Sequence, residues 1–237
     1  IKKINLKDDR LVVDSKGIYT IENYLMSRRL MYWQVYLHKT ALAARETLFA
    51  TISRAKELIA QGKHLRASLH LEYFLYHEVN SNFIANNPKA IDNFIMLDDS
   101  DIVCALKDWA VSEDKVLSIL SRNYINRNLY KVKELPAPLA DNTEQALKHE
   151  VARLLNIPQE CAHYFVMPLN VSQMLYSTTD DHIKILMKDG TIRDISNFSE
   201  LLHSEMVDRR SERHYMLIQR DDKIINDPHV CDILNNN

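Results

Sequence analysis

The chain has 237 residues, 46% of them hydrophobic and 26% charged, with a formal net charge of -2; this balance fits a globular protein of one large domain, or one large and one small. Near-neutral charge excludes a global basic field for gathering nucleic acid, so a phosphorylated ligand would have to meet a local cluster of Arg and Lys. Only three glycines occur, which disfavours a turn-rich β architecture and excludes Gly-rich phosphate loops of the GxGxxG and P-loop types.

The chain opens on Ile1-Lys2-Lys3-Ile4-Asn5, an apolar and basic start that is no signal peptide and reads as the interior of a domain. Leu11-Val12-Val13 predicts a brief strand, and Asp14-Ser15-Lys16-Gly17 a turn. From Thr20 to Gln61 there is no Gly or Pro and apolar residues recur at helical spacing. Met31, Val35, Leu42 and Phe49 fall within ~40° at ~100° per residue, which predicts one apolar face. Thr20 with Asn23 offers a cap and Gly62 a stop. Such a helix, ~60 Å long, is a spine or must kink.

His64 to Val79 reads as a second helix, broken at Asn86-Asn87-Pro88. Shorter helices are predicted around Lys89 to Met96, Ser100 to Ala110 and Asp114 to Arg122, with Asp98-Asp99-Ser100-Asp101 as a helix start. Leu135-Pro136-Ala137-Pro138 reads as a linker. Beyond it come a helix over Thr143 to Leu155 and an extended stretch over His163 to Val171. A β-hairpin of His182–Met187 and Thr191–Ile195 about Asp189-Gly190 follows, then a strand at Tyr215 to Gln219. The expected architecture is mainly α: a helical body over 1–140 and a small C-terminal α+β module with a β-hairpin over 141–237.

Cys104, Cys161 and Cys231 are widely spaced and form no CxxC, which suits a reduced, cytoplasmic setting. No apolar run approaches the ~20 residues that cross a bilayer, so no membrane association is expected. His64, His70 and His77 share a predicted helix. His70 and His77 would lie about 10 Å apart along it, too far to ligate one zinc. Lys148-His149-Glu150-Val151-Ala152-Arg153 begins like HExxH but has Arg153 where the second His belongs. Asp180-Asp181-His182 has the reverse of the His-Asp order, and Arg209-Arg210-Ser211-Glu212-Arg213 reads as a solvated charged loop.

The segment from Gly17 to Thr40 contains Arg28, then Tyr36-x-His38-Lys39. Downstream stand Leu97-Asp98-Asp99-Ser100-Asp101-Ile102 with Trp109, and Asn126-Arg127-Asn128-Leu129-Tyr130-Lys131. In this order the segments resemble HD-superfamily phosphohydrolases of the deoxynucleoside triphosphate triphosphohydrolase (dGTPase-like) type, over roughly the first 135 residues and more weakly into the hairpin module. The resemblance implies an HD-phosphohydrolase-type helical body acting on deoxynucleoside triphosphates. It also implies a homo-oligomer, dimer or higher, that binds deoxynucleotides; the charge gives no indication of nucleic acid.

The family holds a divalent metal through His, His-Asp and a distant Asp, in a segment preceding the one where this chain begins. No His-Asp pair occurs in the sequence. No catalytic residue and no metal ligand are therefore assigned here, and the metal (Mg, Mn, Fe, Ni or Zn) is expected only in a full-length protein. The resemblance places Arg28 on the triphosphate and Tyr36 against the sugar. Geometry adds Tyr32, because Arg28, Tyr32 and Lys39 fall within ~40° at ~100° per residue, with Tyr36 ~80° from Arg28. A regulatory nucleotide between subunits would meet His38, Lys39, Arg127 and Lys131. Leu37 stands where some relatives have a polar residue, which leaves base preference open. The alternative is a non-catalytic nucleotide-sensing or assembly module.

Overall fold

Helices dominate, as the scarcity of glycine dictates. The structure, a computed structural model, describes residues 3–173, 182–199 and 211–235. Its contacts divide into two units, Ile1–His38 with Asn170–His214, and Lys39–Leu169 with Tyr215–Asn237. The expected division near residue 140 therefore falls inside the second unit. Leu135-Pro136-Ala137-Pro138 carries linker composition, yet strand and helix on either side of it are packed into one unit. Asp180, Asp181, Arg209 and Arg210 lie outside the described residues.

In the first unit, β1 (Ile4–Lys7) and β2 (Arg10–Asp14) form an antiparallel hairpin. The sequence reading missed β1. Its two-residue turn is Asp8-Asp9, at φ 51° and 54°, a left-handed geometry that short Asp side chains tolerate without glycine. Much later in the chain the expected hairpin forms from β5 (Lys184–Leu186) and β6 (Ile192–Asp194), paired antiparallel. Gly190 takes φ 82° in its turn, and Asp189 accepts the Thr191 N–H at 2.9 Å. β2 pairs with β5 in parallel, giving the sheet order β1-β2-β5-β6.

Helix α1 (Ile18–Met31) packs Leu25 with Ile185 and Ile195, while Val13, Ile18 and Ile21 close the edge of this small core. A 3-10 turn at Ser15–Gly17 leads into α1, and Asp14, rather than Thr20 or Asn23, caps that turn through the Lys16 N–H at 2.8 Å. Gly17 is buried, and a Cβ there would stand 2.6 Å from Val13 Cγ1, closer than packed atoms tolerate.

The predicted spine is interrupted. α1 runs into a π turn at Tyr32–Tyr36, where the Leu37 N–H bonds to the Tyr32 carbonyl at 2.7 Å. Leu37 then leaves helical geometry at φ -103°, ψ 15°, and α2 begins afresh at Lys39–Ala60. The expected common face of Met31, Val35, Leu42 and Phe49 does not form. Leu42 is buried, whereas Met31, Val35 and Phe49 are 43%, 55% and 58% exposed. The break destroys the shared phase. Within α2, moreover, the buried arc is centred between Thr47 and Arg54, with Leu42 at its edge and Phe49 just beyond.

The second unit is built on α2, which packs against α7 (Lys115–Ile125) and α3 (Leu69–Tyr76). α3 is shorter than expected, because residues 63–68 are not helical and Ser68 caps it at the Leu71 N–H. α4 (Ser81–Asn86) and α5 (Pro88–Met96, opened by its proline) come next. α6 (Asp99–Trp109) starts on an Asp98/Asp101 capping box, and Asp114 caps α7. Leu58, Leu71, Leu75, Leu106, Trp109 and Leu117 are the heart of the core. The strands β3 (Lys131–Leu135), β4 (Val166–Gln173) and β7 (Ser211–Ile218) form a sheet in the order β3-β7-β4, and the unit boundary falls within β4 and β7. α8 (Asp141–Leu155), α9 (Asp222–Ile225) and α10 (Pro228–Asn235) complete the unit.

Candidate functional site

Two cationic surfaces emerge, one in each unit. In the first unit, Arg28 lies in the last turn of α1 and Tyr32 opens the π turn. The Arg28 guanidinium stands 5.1 Å from the centre of the Tyr32 ring. The Tyr32 ring in turn lies 5.2 Å from that of Tyr36, tilted by 59°. The three side chains thus form one continuous stripe, about 12 Å long at the rise of a helix. Arg28 and Tyr36 are exposed and Tyr32 is half-buried. Among the described residues Arg28 has no acidic partner, so its charge is available to an anion. Beside the stripe, Trp33 of the π turn stacks under the Arg213 guanidinium at 4.3 Å.

Lys39 does not extend this stripe. It opens α2 in the other unit, because the helix ends at the π turn. His38, the exposed residue before it, closes the first segment of the first unit.

In the second unit, Lys39, Arg127 and Lys131 do come together, lining one cavity of about 250 Å³. A fourth cation, Arg220, lines it too and was missed by sequence reasoning. Asn128 Nδ2 donates to the Arg220 carbonyl at 2.8 Å, which ties the Asn126-Arg127-Asn128 segment to the chain just after β7. Thr40 and Ala43 bring the first turn of α2 to the same cavity, and the helix dipole favours negative charge there. The one acid paired with these cations among the described residues is Glu134, 3.5 Å from Lys39 Nζ.

Arg127 has an unusual backbone. It follows α7 at φ 57°, in the left-handed position where a helix end prefers glycine or asparagine. A branched-chain-sized L residue there costs ~1 kcal/mol relative to glycine. Local stability alone does not select arginine at this position, and Arg127 is one of the residues lining the cavity.

A third charged cluster is structural. Arg54, buried in α2, donates to both carboxylate oxygens of Asp114 at 3.1 and 2.6 Å and to Glu57 at 2.6 Å. Tyr164 Oη donates to Glu57 at 2.9 Å. Burial works against ionisation of Glu57 and Asp114, but the Arg54 hydrogen bonds outweigh it and hold both carboxyls below the usual range. Burial, reinforced by the hydrogen bond to Glu57, pushes the Tyr164 phenol up.

The histidines of the first expected cluster have local partners. His70 Nδ1 pairs with Asn93 Oδ1 at 3.0 Å, and His77 Nδ1 with the Tyr73 carbonyl at 2.7 Å. Among the described residues no three His, Cys, Asp or Glu side chains converge in a way that could hold a metal ion. These residues do not fit the divalent centre that the family resemblance implies. No helix among them is long and apolar enough to cross a membrane.

Residues 1–70, which carry the stripe and the start of α2, match the model of an HD associated region. The chain is 45% identical to a phosphohydrolase of Bacteroides thetaiotaomicron whose crystal structure superposes with a TM-score of 0.81, over 92% of this chain and 54% of the other. The chain thus combines an HD associated region with a likeness to a phosphohydrolase. It is also 27% identical over 213 residues to the uncharacterised protein YwfO of Bacillus subtilis, covering 87% of this chain and 46% of that protein. A protein from Aquifex aeolicus shares the fold, with a TM-score of 0.51 at 22% identity. The chain spans about half the length of these relatives.

Proposed function

We propose that the chain is part of a metal-dependent HD-domain phosphohydrolase acting on deoxynucleoside triphosphates. In this reading the stripe meets the substrate: Arg28 holds the triphosphate through charge-assisted, forked hydrogen bonds, and Tyr36 packs against the sugar. The second-unit cavity, with Lys39, Arg127, Lys131 and the newly recognised Arg220, takes a regulatory deoxynucleotide, with His38 at its sequence margin, and its occupancy favours a cytoplasmic homo-oligomer. The divalent metal that would polarise phosphate and activate water in such an enzyme is assigned to none of the described residues.

The observation that carries the reading is the exposed Arg28, which has no acidic partner among the described residues and is continuous with two tyrosine rings. A guanidinium held against aromatic rings on a phosphohydrolase relative is suited to an anionic ligand with a flat sugar or base. The test is turnover of the full-length protein on dATP, dGTP, dCTP and dTTP, reading released phosphate or triphosphate. Arg28→Ala should lower kcat/KM by about one to two decades, since a charge-assisted contact contributes roughly 1.5–3 kcal/mol. Near-wild-type kcat/KM would remove the substrate role from this helix.

A second reading is favoured by the concentration of cations in the second unit: a non-catalytic nucleotide-sensing or assembly module. It predicts nucleotide-dependent change in oligomer mass without turnover by any full-length form.

A further inference from the structure

We infer that Tyr32 is a positioning residue, a ring held between Arg28 and Tyr36 that fixes the spacing of the two groups rather than contacting the ligand as they do. The inference rests on the substrate role proposed for the stripe and adds to it how the stripe is set.

The reason lies in the π turn. In an uninterrupted α-helix each residue advances ~100°, so Tyr32 would stand ~40° and Tyr36 ~80° around the axis from Arg28. Bonding from residue i to i+5 adds about one residue to the turn and reduces the advance to ~80°. From Tyr32 to Tyr36 the chain then turns ~320°, which takes back the ~40° gained between Arg28 and Tyr32. Tyr36 returns to the azimuth of Arg28. The Tyr32-to-Leu37 backbone bond at 2.7 Å is the one that creates this widened turn, and the ring spacing of 5.2 Å follows it.

Tyr32 is the residue on which both contacts meet. Its ring is the acceptor of the Arg28 cation on one side and the neighbour of Tyr36 on the other. It is also less exposed than either of the groups it touches. Arg28 has several freely rotating bonds, and with no acidic partner among the described residues the Tyr32 ring is what restrains it. A restrained guanidinium loses less freedom when it engages phosphate. What matters at position 32 is therefore the aromatic face, and the hydroxyl is dispensable.

The experiment is a double-mutant cycle in the full-length protein, measuring dNTP hydrolysis with kcat and KM separated, and melting temperature alongside. Tyr32→Leu, which keeps apolar bulk and helix propensity, should lower kcat/KM about tenfold, the combined scale of one cation–π and one ring–ring contact. Tyr32→Phe should restore most of that loss. In an Arg28→Ala background, Tyr32→Leu should cost no more than about threefold, because part of its partner is already gone. Full additivity of the two substitutions would overturn the inference, as would a Tyr32→Phe variant as impaired as Tyr32→Leu, which would assign the hydroxyl a direct contact. A loss in Tyr32→Leu matched by a collapse in melting temperature and not rescued by Tyr32→Phe would likewise overturn it in favour of a structural role. If Arg28→Ala itself retains wild-type kcat/KM, the substrate role of the stripe fails and this inference with it. If Arg28→Ala is impaired but Tyr32→Leu is not, only the inference fails.

Discussion

The stripe and the cavity present cations at the surface by opposite means. Arg28, Tyr32 and Tyr36 are four residues apart on a single run of helix, and their arrangement is set by local backbone hydrogen bonding. The cavity draws Lys39, Arg127 with Lys131, and Arg220 from three distant parts of the chain, so it exists only when the second unit is folded. In the stripe the cation is restrained by aromatic rings. In the cavity several like charges are gathered with one acid paired to them among the described residues, an arrangement whose self-repulsion an anion would relieve. A locally built surface survives loss of tertiary packing elsewhere better than an assembled one, and the comparison can be broken or sharpened on that basis.

The largest effect is expected where the assembled surface is most vulnerable. Asp114→Ala leaves Arg54 buried without its bidentate partner and also removes the α7 cap. It should destabilise the protein by ~3–5 kcal/mol, read as a lowered midpoint in urea denaturation. Nucleotide-dependent assembly should be lost before the stripe is affected. The same pair sets a pH dependence. Asp114 and Glu57 are held below the usual carboxylate range in the folded state. Their contribution is therefore fully present above the unfolded-state values near ~4 and is lost as pH falls through the lowered folded values. Asp114→Asn should flatten this acid limb; an unchanged limb would mean that other carboxylates dominate it.

A smaller effect is expected at Arg220. Arg220→Ala removes one exposed cation from the cavity wall and should weaken dNTP-induced assembly about tenfold, on the scale of ~1.5 kcal/mol for a charged hydrogen bond. Folding stability should be nearly unchanged, since the structure ties this segment down through the Arg220 carbonyl, which the substitution retains. Wild-type assembly by Arg220→Ala would confine any anion site to the other three cations.

Much of this was legible before the structure. The Asp189-Gly190 hairpin, the Asp98/Asp101 helix start, the helix beginning near Asp114 and the Gly62 stop are decided by residues within a few positions of one another, and each formed where the local chemistry placed it. The π turn was not legible. Periodicity assumes a constant advance per residue, and no Gly or Pro marks the change from i+4 to i+5 bonding at Tyr32. For that reason periodicity groups Lys39 with Arg28 and puts Met31, Val35 and Phe49 on one apolar face. The Asp8-Asp9 turn hid β1 because it uses no glycine. Arg220 carries no motif, and its place beside Arg127 depends on a sheet that joins distant strands. The same long-range pairing explains why a proline-rich segment failed to mark the division between units.

The central claim is that the two surfaces do different things, and a crossed pair of variants tests it most directly. Arg28→Ala and Arg127→Gly are compared in the full-length protein for kcat/KM on dNTPs and for oligomer mass by light scattering, with and without dNTP. Glycine is chosen at position 127 because it relieves the left-handed backbone and should leave stability equal or higher by about 0.5 kcal/mol, so that unfolding cannot account for a loss. The account predicts that Arg28→Ala loses turnover by one to two decades while keeping nucleotide-dependent assembly, and that Arg127→Gly loses that assembly first. Equal losses of both properties in both variants, or assembly by Arg127→Gly indistinguishable from wild type, would contradict it.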